Sequence, residues 1–284
     1  MFNKILTALR DRGEFPDRIR NRNRVFWSAP DAKQIKIVKH TKEDPLSKWQ
    51  EGENWQRKLS NKGNSREFAE MFGAKLPDLY WRGSDVDNLD FTTLPANYVI
   101  RPTIGFGSNQ VFVMKNGTNL FDYKHYEPEE IRAALKTMIS KREGLEVLVE
   151  EFLPNENGEY GIQTDYKFYC YKGEIACCWV INRESPKSGN ATYYDLNWNK
   201  IKMVNATYPH KYDPVKPKCY QEMIDQARKL SIPYDIFVRI DFYATPKGAV
   251  FGEFTPTPSM GKMYTSFGKK LLLDYWDKYC PGQI

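Results

Sequence analysis

Several familiar chemistries are excluded by what the 284-residue sequence lacks. No apolar run approaches the roughly 18 to 20 residues that a helix needs to cross a bilayer. Five cysteines, Cys170, Cys177, Cys178, Cys219 and Cys280, are odd in number and show no Cys-x-x-Cys spacing. That pattern predicts reduced thiols in a reducing compartment. The three histidines, His40, His125 and His210, are scattered without ligand spacing, so neither a zinc site nor a Cys/His nucleophile pair is supported. There is no internal repeat and no low-complexity tract. The opening Met1-Phe-Asn-Lys-Ile-Leu-Thr-Ala-Leu-Arg10 has too short an apolar stretch to look like a signal peptide, and the expected location is the cytoplasm.

What is present is a globular composition, 41% hydrophobic and 14% aromatic, enough for one large domain or two to three intimately packed subdomains. The net charge of +6 is concentrated at the front, where residues 1–42 hold eleven Lys/Arg against four Asp/Glu. Arg18, Arg20, Arg22 and Arg24 alternate with Ile19, Asn21 and Asn23. Such a run reads as a solvated face or as a track for phosphates or an acidic partner. Without a recognised module or interleaved aromatics, no nucleic-acid partner is expected.

Residues 1–57 form a basic segment of uncertain fold, with a weak helical signal around Ile5, Leu6 and Leu9 and with Trp27, Trp49 and Trp55 as isolated anchors. Residues 58–96 read as a helical lead-in. Asn64-Ser-Arg-Glu67 resembles a capping box, followed by Phe68, Met71 and Phe72 on one helical face and Gly73 as a stop. Residues 97–152 read as strand, glycine loop, strand, helix and strand, with Pro128 opening the helix and Glu146–Phe152 as the last strand. In residues 153–284, a hairpin around Lys172-Gly173, a helix near Tyr220–Leu230, a second hairpin and a final helix near Phe267–Tyr279 are expected. Residues 184–210 read as a polar, aromatic loop that faces substrate or solvent. Tight turns between strands predict an α+β fold with mixed or antiparallel sheets.

The chemistry concentrates in that second hairpin. Phe237-Val-Arg-Ile-Asp-Phe-Tyr243 and Ala249-Val-Phe-Gly-Glu-Phe-Thr255 meet at the turn Pro246-Lys-Gly248, which places Asp241 and Glu253 side by side on adjacent strands. Two neighbouring carboxylates suit magnesium and a nucleotide's phosphates, although a surface hairpin with two solvated acids is also a reading. Arg239 shares the strand face of Asp241. Upstream, the loop from Thr103 to Asn109 carries Gly105 and Gly107, which let backbone amides approach phosphate, and the hydroxyls of Thr103 and Ser108. It is neither a Walker loop nor a Rossmann fingerprint; alone, an ordinary hairpin turn fits as well. Arg101 stands before it, and Glu150 and Glu151 end a strand where an adenine edge and ribose hydroxyls could be read.

Taken in order, these features resemble the ATP-grasp superfamily. The runs Lys58-Leu-Ser-Asn-Lys62, Leu94-Pro-Ala-Asn-Tyr-Val-Ile-Arg-Pro102, Asp165-Tyr-Lys-Phe168, Tyr194-Asp-Leu-Asn-Trp198, Val238-Arg-Ile-Asp241 and Phe251-Gly-Glu-Phe-Thr-Pro-Thr-Pro-Ser259 resemble its teichuronopeptide-biosynthesis, TupA-like branch over roughly residues 58–275. The resemblance implies two α+β subdomains that clasp ATP. It implies magnesium at Asp241 and Glu253, with Thr255 where the superfamily often has Asn. It also implies Arg101 where lysine commonly meets nucleotide phosphate, and Lys167 and Arg183 as cations for the transferred phosphoryl group or the carboxylate substrate. The implied activity is a carboxylate–amine ligase, with Lys167, Arg183 and Arg239 stabilising charge. Its substrates would be small or polymeric carboxylates and amines, and the basic residues favour an acidic one. A kinase acting on a hydroxyl, or an ATP-binding protein without catalysis, are the alternative readings.

Overall fold

The computed structural model describes residues 8–105, 110–185, 188–211 and 213–283. Ile5, Leu6, Gly107 and Ser108 lie outside them. Two antiparallel sheets organise the rest. The first contains β1 Leu79–Gly83, β2 Asn97–Pro102, β3 Phe112–Lys115, β4 Thr118–Asn119, β5 Lys124–His125 and β6 Val147–Glu151, in the order β1-β6-β2-β3-β4-β5. The second contains β7 Asp165–Tyr171, β8 Glu174–Arg183, β9 Gly189–Tyr194, β10 Phe237–Thr245 and β11 Gly248–Thr255, in the order β11-β10-β7-β8-β9.

The period of two along each strand decides what every face does. In the first sheet Ile100, Val147 and Val149 pack beneath the helix Pro128–Ile139, together with its Ile131, Leu135 and Met138. Arg101, Leu148 and Glu150 therefore point to the opposite face. In the second sheet Phe168, Cys170, Val238, Ile240 and Phe242 form a core with the helix Tyr220–Tyr234. The other face is divided. Tyr169, Tyr171 and Phe237 join a second core with Phe15, Ile19, Leu272 and Trp276, whereas Lys167, Arg239 and Asp241 continue the same rows as buried charge.

The basic front segment is helical and built into this second core. Helix Glu14–Ser28 inserts Phe15 and Ile19 beside the helix Ser266–Tyr279. Its Arg22, 4% exposed, donates to the carbonyls of Phe237 (2.8 Å) and Pro256 (3.0 Å) and lies over Trp276 at 4.7 Å. Burial lowers its basicity, to about 10. The other alternating arginines have local partners: Arg18 bonds Glu14 and Asp277, Arg20 bonds Asp17, and Arg24 bonds Asn21. A surface depression lined by Glu14, Asp17, Arg18, Arg20, Asn21 and Arg24 is thus one of self-paired charge. Trp49 and Trp55 are core residues, but Trp27 is 50% exposed and packs only at the surface, against Phe26 and Lys36.

Other differences from the sequence pattern have local causes. The helix expected at Asn64 starts at Lys62, because Asn61 accepts from the Gly63 amide as its cap. Asn64 instead ties the helix to Val38, Lys58 and His40. The strand β1 lies inside the stretch read as helical lead-in, and β9 lies inside the stretch read as loop. All five cysteines are free and buried; burial pushes the Cys280 thiol up to about 11 and Cys219 up to about 12, so neither behaves as a nucleophile at neutral pH.

Candidate active site

The hairpin β10–β11 pairs Asp241 with Glu253 and Arg239 with Thr255. One irregularity makes this possible. Ala249, Phe251 and Phe254 all pack into the core under the sheet, which a regular strand cannot do for residues of opposite parity. The register shifts at Asp241/Phe242, leaving Gly252 as the extra residue, and the bulge turns Glu253 and Thr255 towards the charged face. A Cβ at Gly252 would stand 3.1 Å from the Asp241 carbonyl oxygen and 3.1 Å from the Tyr243 ring.

Around this pair the charges alternate across four strands. Asp241 accepts from Arg239 Nε (2.7 Å) and Nη2 (2.8 Å) and from the Lys167 ammonium. Lys167 also lies 3.3 Å from Asp165, which accepts from Arg183 Nε at 2.6 Å. Arg239 continues to Thr255 Oγ1 (2.9 Å) and to Glu253 Oε1 (3.5 Å). Burial alone would make Asp241 a weak acid, but the Arg239 and Lys167 cations outweigh it and hold the carboxyl below its usual range. In the same way burial disfavours the charge of Arg239, and Asp241 more than restores it; Asp165 does so for Arg183. Glu253 is the open member, with its side chain 39% exposed.

The facing wall comes from the first sheet and the helix Lys62–Met71. Glu150, 2% exposed, accepts from both Arg101 and Arg66 (2.6 Å). Arg101 stays strongly basic: burial opposes its charge, and Glu150, with Tyr243 and Glu253 across the cleft, outweighs it. Lys62 donates to the Gly105 carbonyl at 3.3 Å. Its basicity is lowered by burial first and by Arg101 next, with Glu253 and Glu150 offsetting in part.

Thus the structure brings together Lys167, Arg183, Arg239, Asp241, Glu253 and Thr255 on one sheet, with Arg101 and Gly105 opposite. Three of the residues read as nucleotide contacts have protein partners in this arrangement. The Thr103 hydroxyl is fully buried and bonded to the backbone of Glu146 (3.1 Å), so it fixes the loop and offers no donor to phosphate. Glu150 accepts from Arg66 and Arg101, much as Asp241 accepts from Arg239 and Lys167. Glu151 accepts from Lys247 (2.7 Å) and from the Asp78 amide (3.1 Å), clamping the turn of the β10–β11 hairpin to the first sheet. Lys62, Arg66 and Tyr243 were missed. Their signals were the i, i+4 spacing of Lys62 and Arg66 behind a capping Asn, and the alternation Arg239-x-Asp241-x-Tyr243.

Two antiparallel sheets with helices, a glycine loop on one and side-by-side acids on the other, define an ATP-grasp fold. The chain belongs to the TupA-like ATPgrasp family, whose model matches residues 45–273. Its fold is similar to that of the D-alanine–D-alanine ligase from Bacillus anthracis complexed with ATP, at 14% identity and a TM-score of 0.51, over 78% of this chain and 66% of that one. It is also similar to the D-alanine–D-alanine ligase from Helicobacter pylori, at 15% identity and a TM-score of 0.50, over 80% of this chain and 60% of that one. This chain therefore spans 60 to 66% of the length of those two proteins. No curated protein sequence matches it.

As donors, Asp241, Glu253 and the Thr255 hydroxyl fit a hard divalent cation such as magnesium, which takes one or two carboxylates and completes its shell with phosphate and water. No helix among the described residues is long and apolar enough to cross a membrane.

Proposed function

We propose that this protein is an ATP-dependent, ADP-forming carboxylate–amine ligase. The observation that carries the reading is the Asp241–Glu253 pair flanked by Lys167 and Arg239 and faced by Lys62 and Arg101. Family membership and a fold like that of D-alanine–D-alanine ligases support it. A substrate carboxylate oxygen attacks the γ-phosphorus, the bond to the β–γ bridging oxygen breaks, and ADP leaves. An amine then attacks the acyl carbon, phosphate departs with the C–O bond, and the nitrogen loses a proton. Neither step needs a protein nucleophile, in keeping with the inert thiols.

Magnesium held by Asp241, Glu253 and Thr255 would neutralise phosphate charge. Lys62, from the helix N-terminus, and Arg101 meet the nucleotide phosphates. Lys167, Arg183 and Arg239 stabilise charge at the transferred group and on the bridging oxygen. Gly105 lets the backbone of its loop come close to phosphate. The amide product fits modification of an envelope polysaccharide or peptide, and five free thiols support a reducing compartment such as the cytoplasm.

An ADP-release screen with pooled carboxylates and amines, read by mass spectrometry for a condensed product, tests the reading. Glu253→Gln should lower that turnover by several kcal/mol of barrier, on the order of a thousandfold; near-normal magnesium-dependent turnover would falsify the site. Hydroxylamine traps an acyl phosphate. A stable phosphoester with no trapped hydroxamate would instead show a kinase, and nucleotide binding without turnover across the whole panel would show a binding protein.

A further inference from the structure

Arg66, Lys167 and Arg239 are buried against carboxylates, and Arg22 and Lys58 against backbone carbonyls. Half-buried Lys36 and buried Arg57, both from the basic front segment, have neither. Each is stacked on a ring at the end of helix Glu14–Ser28: Lys36 over Trp27 at 5.0 Å and Arg57 over Phe26 at 4.9 Å. The two rings themselves touch, with centroids 5.0 Å apart. Arg57 is 7% exposed and its Nη2 is sealed from solvent without a hydrogen-bond partner. Among the described residues, neither cation has a carboxylate within ion-pair distance or donates to the nearby helix carbonyls. Stacking on a ring face supports a cation but leaves its N–H donors unspent, and a buried guanidinium without an acceptor is costly.

Their position gives the cluster a direction. The Lys36 carbonyl accepts from the Asn61 side chain (3.2 Å), and Asn61 caps the helix that begins with Lys62. Arg142, likewise without a carboxylate partner, donates to the Ile104 carbonyl (3.0 Å) beside the glycine loop. Burial, then Arg57, Lys62 and Arg142, lower the basicity of Lys36, as expected where cations crowd with no acid between them. Trp27, half exposed, leaves the Lys36 side of this group open.

We propose that Lys36 and Arg57 form an oxyanion subsite next to the phosphate end of the cleft, which takes a carboxylate or phosphate group of the co-substrate. The inference rests on the ligase reading for the identity of that co-substrate, but the subsite itself stands on the unpaired cations. A guanidinium fork beside an ammonium matches the planar or tetrahedral oxygens of either anion. The anion supplies the acceptors that the chain withholds.

Calorimetric titration of the full chain tests this, with inorganic phosphate and glutarate as separate probes, each with and without a magnesium-bound non-hydrolysable ATP analogue. The wild type should bind at least one of them, and the preferred probe tells phosphate from carboxylate. Lys36→Ala, at a half-buried position, should fold normally and weaken that binding about tenfold, as loss of one charged contact does, with less than about twofold change for the analogue. Arg57→Gln should do the same, and Arg57→Lys should restore part of the affinity. The subsite is disproved if neither anion binds the wild type, if Lys36→Ala binds them as tightly, or if it weakens the analogue equally. Failure of the analogue to bind the wild type would sink the ligase reading alone, because the titrations without nucleotide still decide the subsite.

Discussion

The two walls of the cleft handle charge in opposite ways. On the second sheet Arg183, Asp165, Lys167, Asp241 and Arg239 form an unbroken chain of alternating sign. On the side built by the front segment and the helix Lys62–Met71, Arg66, Lys39 and Lys42 are paired, but Lys36, Arg57 and Lys62 have no ion-pair partner among the described residues. The first arrangement is self-sufficient: every charge in it has a partner of opposite sign within the sheet. The second is incomplete, and its deficit of negative charge is what a nucleotide or an anionic co-substrate would supply. Disturbing the paired wall should therefore cost stability, and disturbing the unpaired wall should cost binding.

The sharpest break of that contrast is Asp241→Asn. It takes the shared carboxylate from Lys167 and Arg239, whose side chains are 6% and 10% exposed, leaving them only Asp165 at 3.3 Å and Glu253 at 3.5 Å, and removing one partner from a buried ion pair costs about 3–5 kcal/mol. Urea unfolding should show that loss at neutral pH. The pH dependence then checks the cause. Asp241 is held below its ordinary value of 3.8 in the fold, so its contribution is fully present above that pH and is lost as the pH falls through the depressed value. The gap between wild type and variant should narrow below about pH 4. A gap that stays constant there would mean that the ion pairs are not what stabilises the sheet.

Much of the paired wall was legible in the sequence. Alternation puts Arg239 and Asp241 on one face, and taking Pro246-Lys-Gly248 as the turn sets Glu253 opposite Asp241; the structure reaches that same pair through a shorter turn and a bulge at Gly252 that the pattern does not show. Which hydrogen bonds the polar groups make was not legible: Thr103 and Glu150 look like ligand groups until Glu146, Arg66 and Arg101 are seen to occupy them. The front segment was opaque for another reason. Its helices bury a few large rings, Phe15 and Phe26, between arginines, and one of those arginines, Arg22, is itself buried, which defeats any separation of polar from apolar faces. The edge strand β9 was hidden by the polar start of Gly-Asn-Ala-Thr-Tyr-Tyr, and Lys62 stood in the run Lys58–Lys62 with nothing in the pattern to assign it a role.

On the unpaired wall the matching experiment is Lys62→Met. Loss of a hydrogen bond to a charged group is worth about 1.5–3 kcal/mol, so the affinity for magnesium-bound ATP analogue should fall roughly ten- to hundredfold, with little change in urea midpoint. Because burial and Arg101 lower the basicity of this lysine, wild-type affinity should also decline as the pH rises through that lowered value. In Lys62→Met the alkaline decline should be absent. A variant that unfolds easily but binds nucleotide normally would place Lys62 with the paired, structural charges.

A smaller effect is expected where geometry, not charge, serves the paired wall. Gly252→Ala sets a methyl 3.1 Å from the Asp241 carbonyl oxygen and the Tyr243 ring, closer than either can accept without a shift. The ring can yield more readily than the backbone, so a loss of about 1 kcal/mol is expected. Turnover should suffer more than stability, since the bulge aims Glu253. Equal losses in both would show that the bulge only packs the core.

The smallest effect belongs to charges that are neither buried nor waiting for a ligand. Arg20 is bonded to Asp17, with side chains 37% and 68% exposed, and Arg24 bonds only the neighbouring Asn21 among the described residues. Exposed pairs exchange water for a partner at nearly equal free energy. The double variant Arg20→Ala, Arg24→Ala should therefore stay within about 0.5 kcal/mol of wild type in urea and leave the affinities for ATP analogue and oxyanions unchanged. It also removes the most exposed part of the arginine run, which on sequence alone could have tracked phosphates. If this variant lost oxyanion binding while Lys36→Ala kept it, the anion-seeking surface would lie along the outside of helix Glu14–Ser28, and the contrast between the two walls would have to be redrawn around that helix.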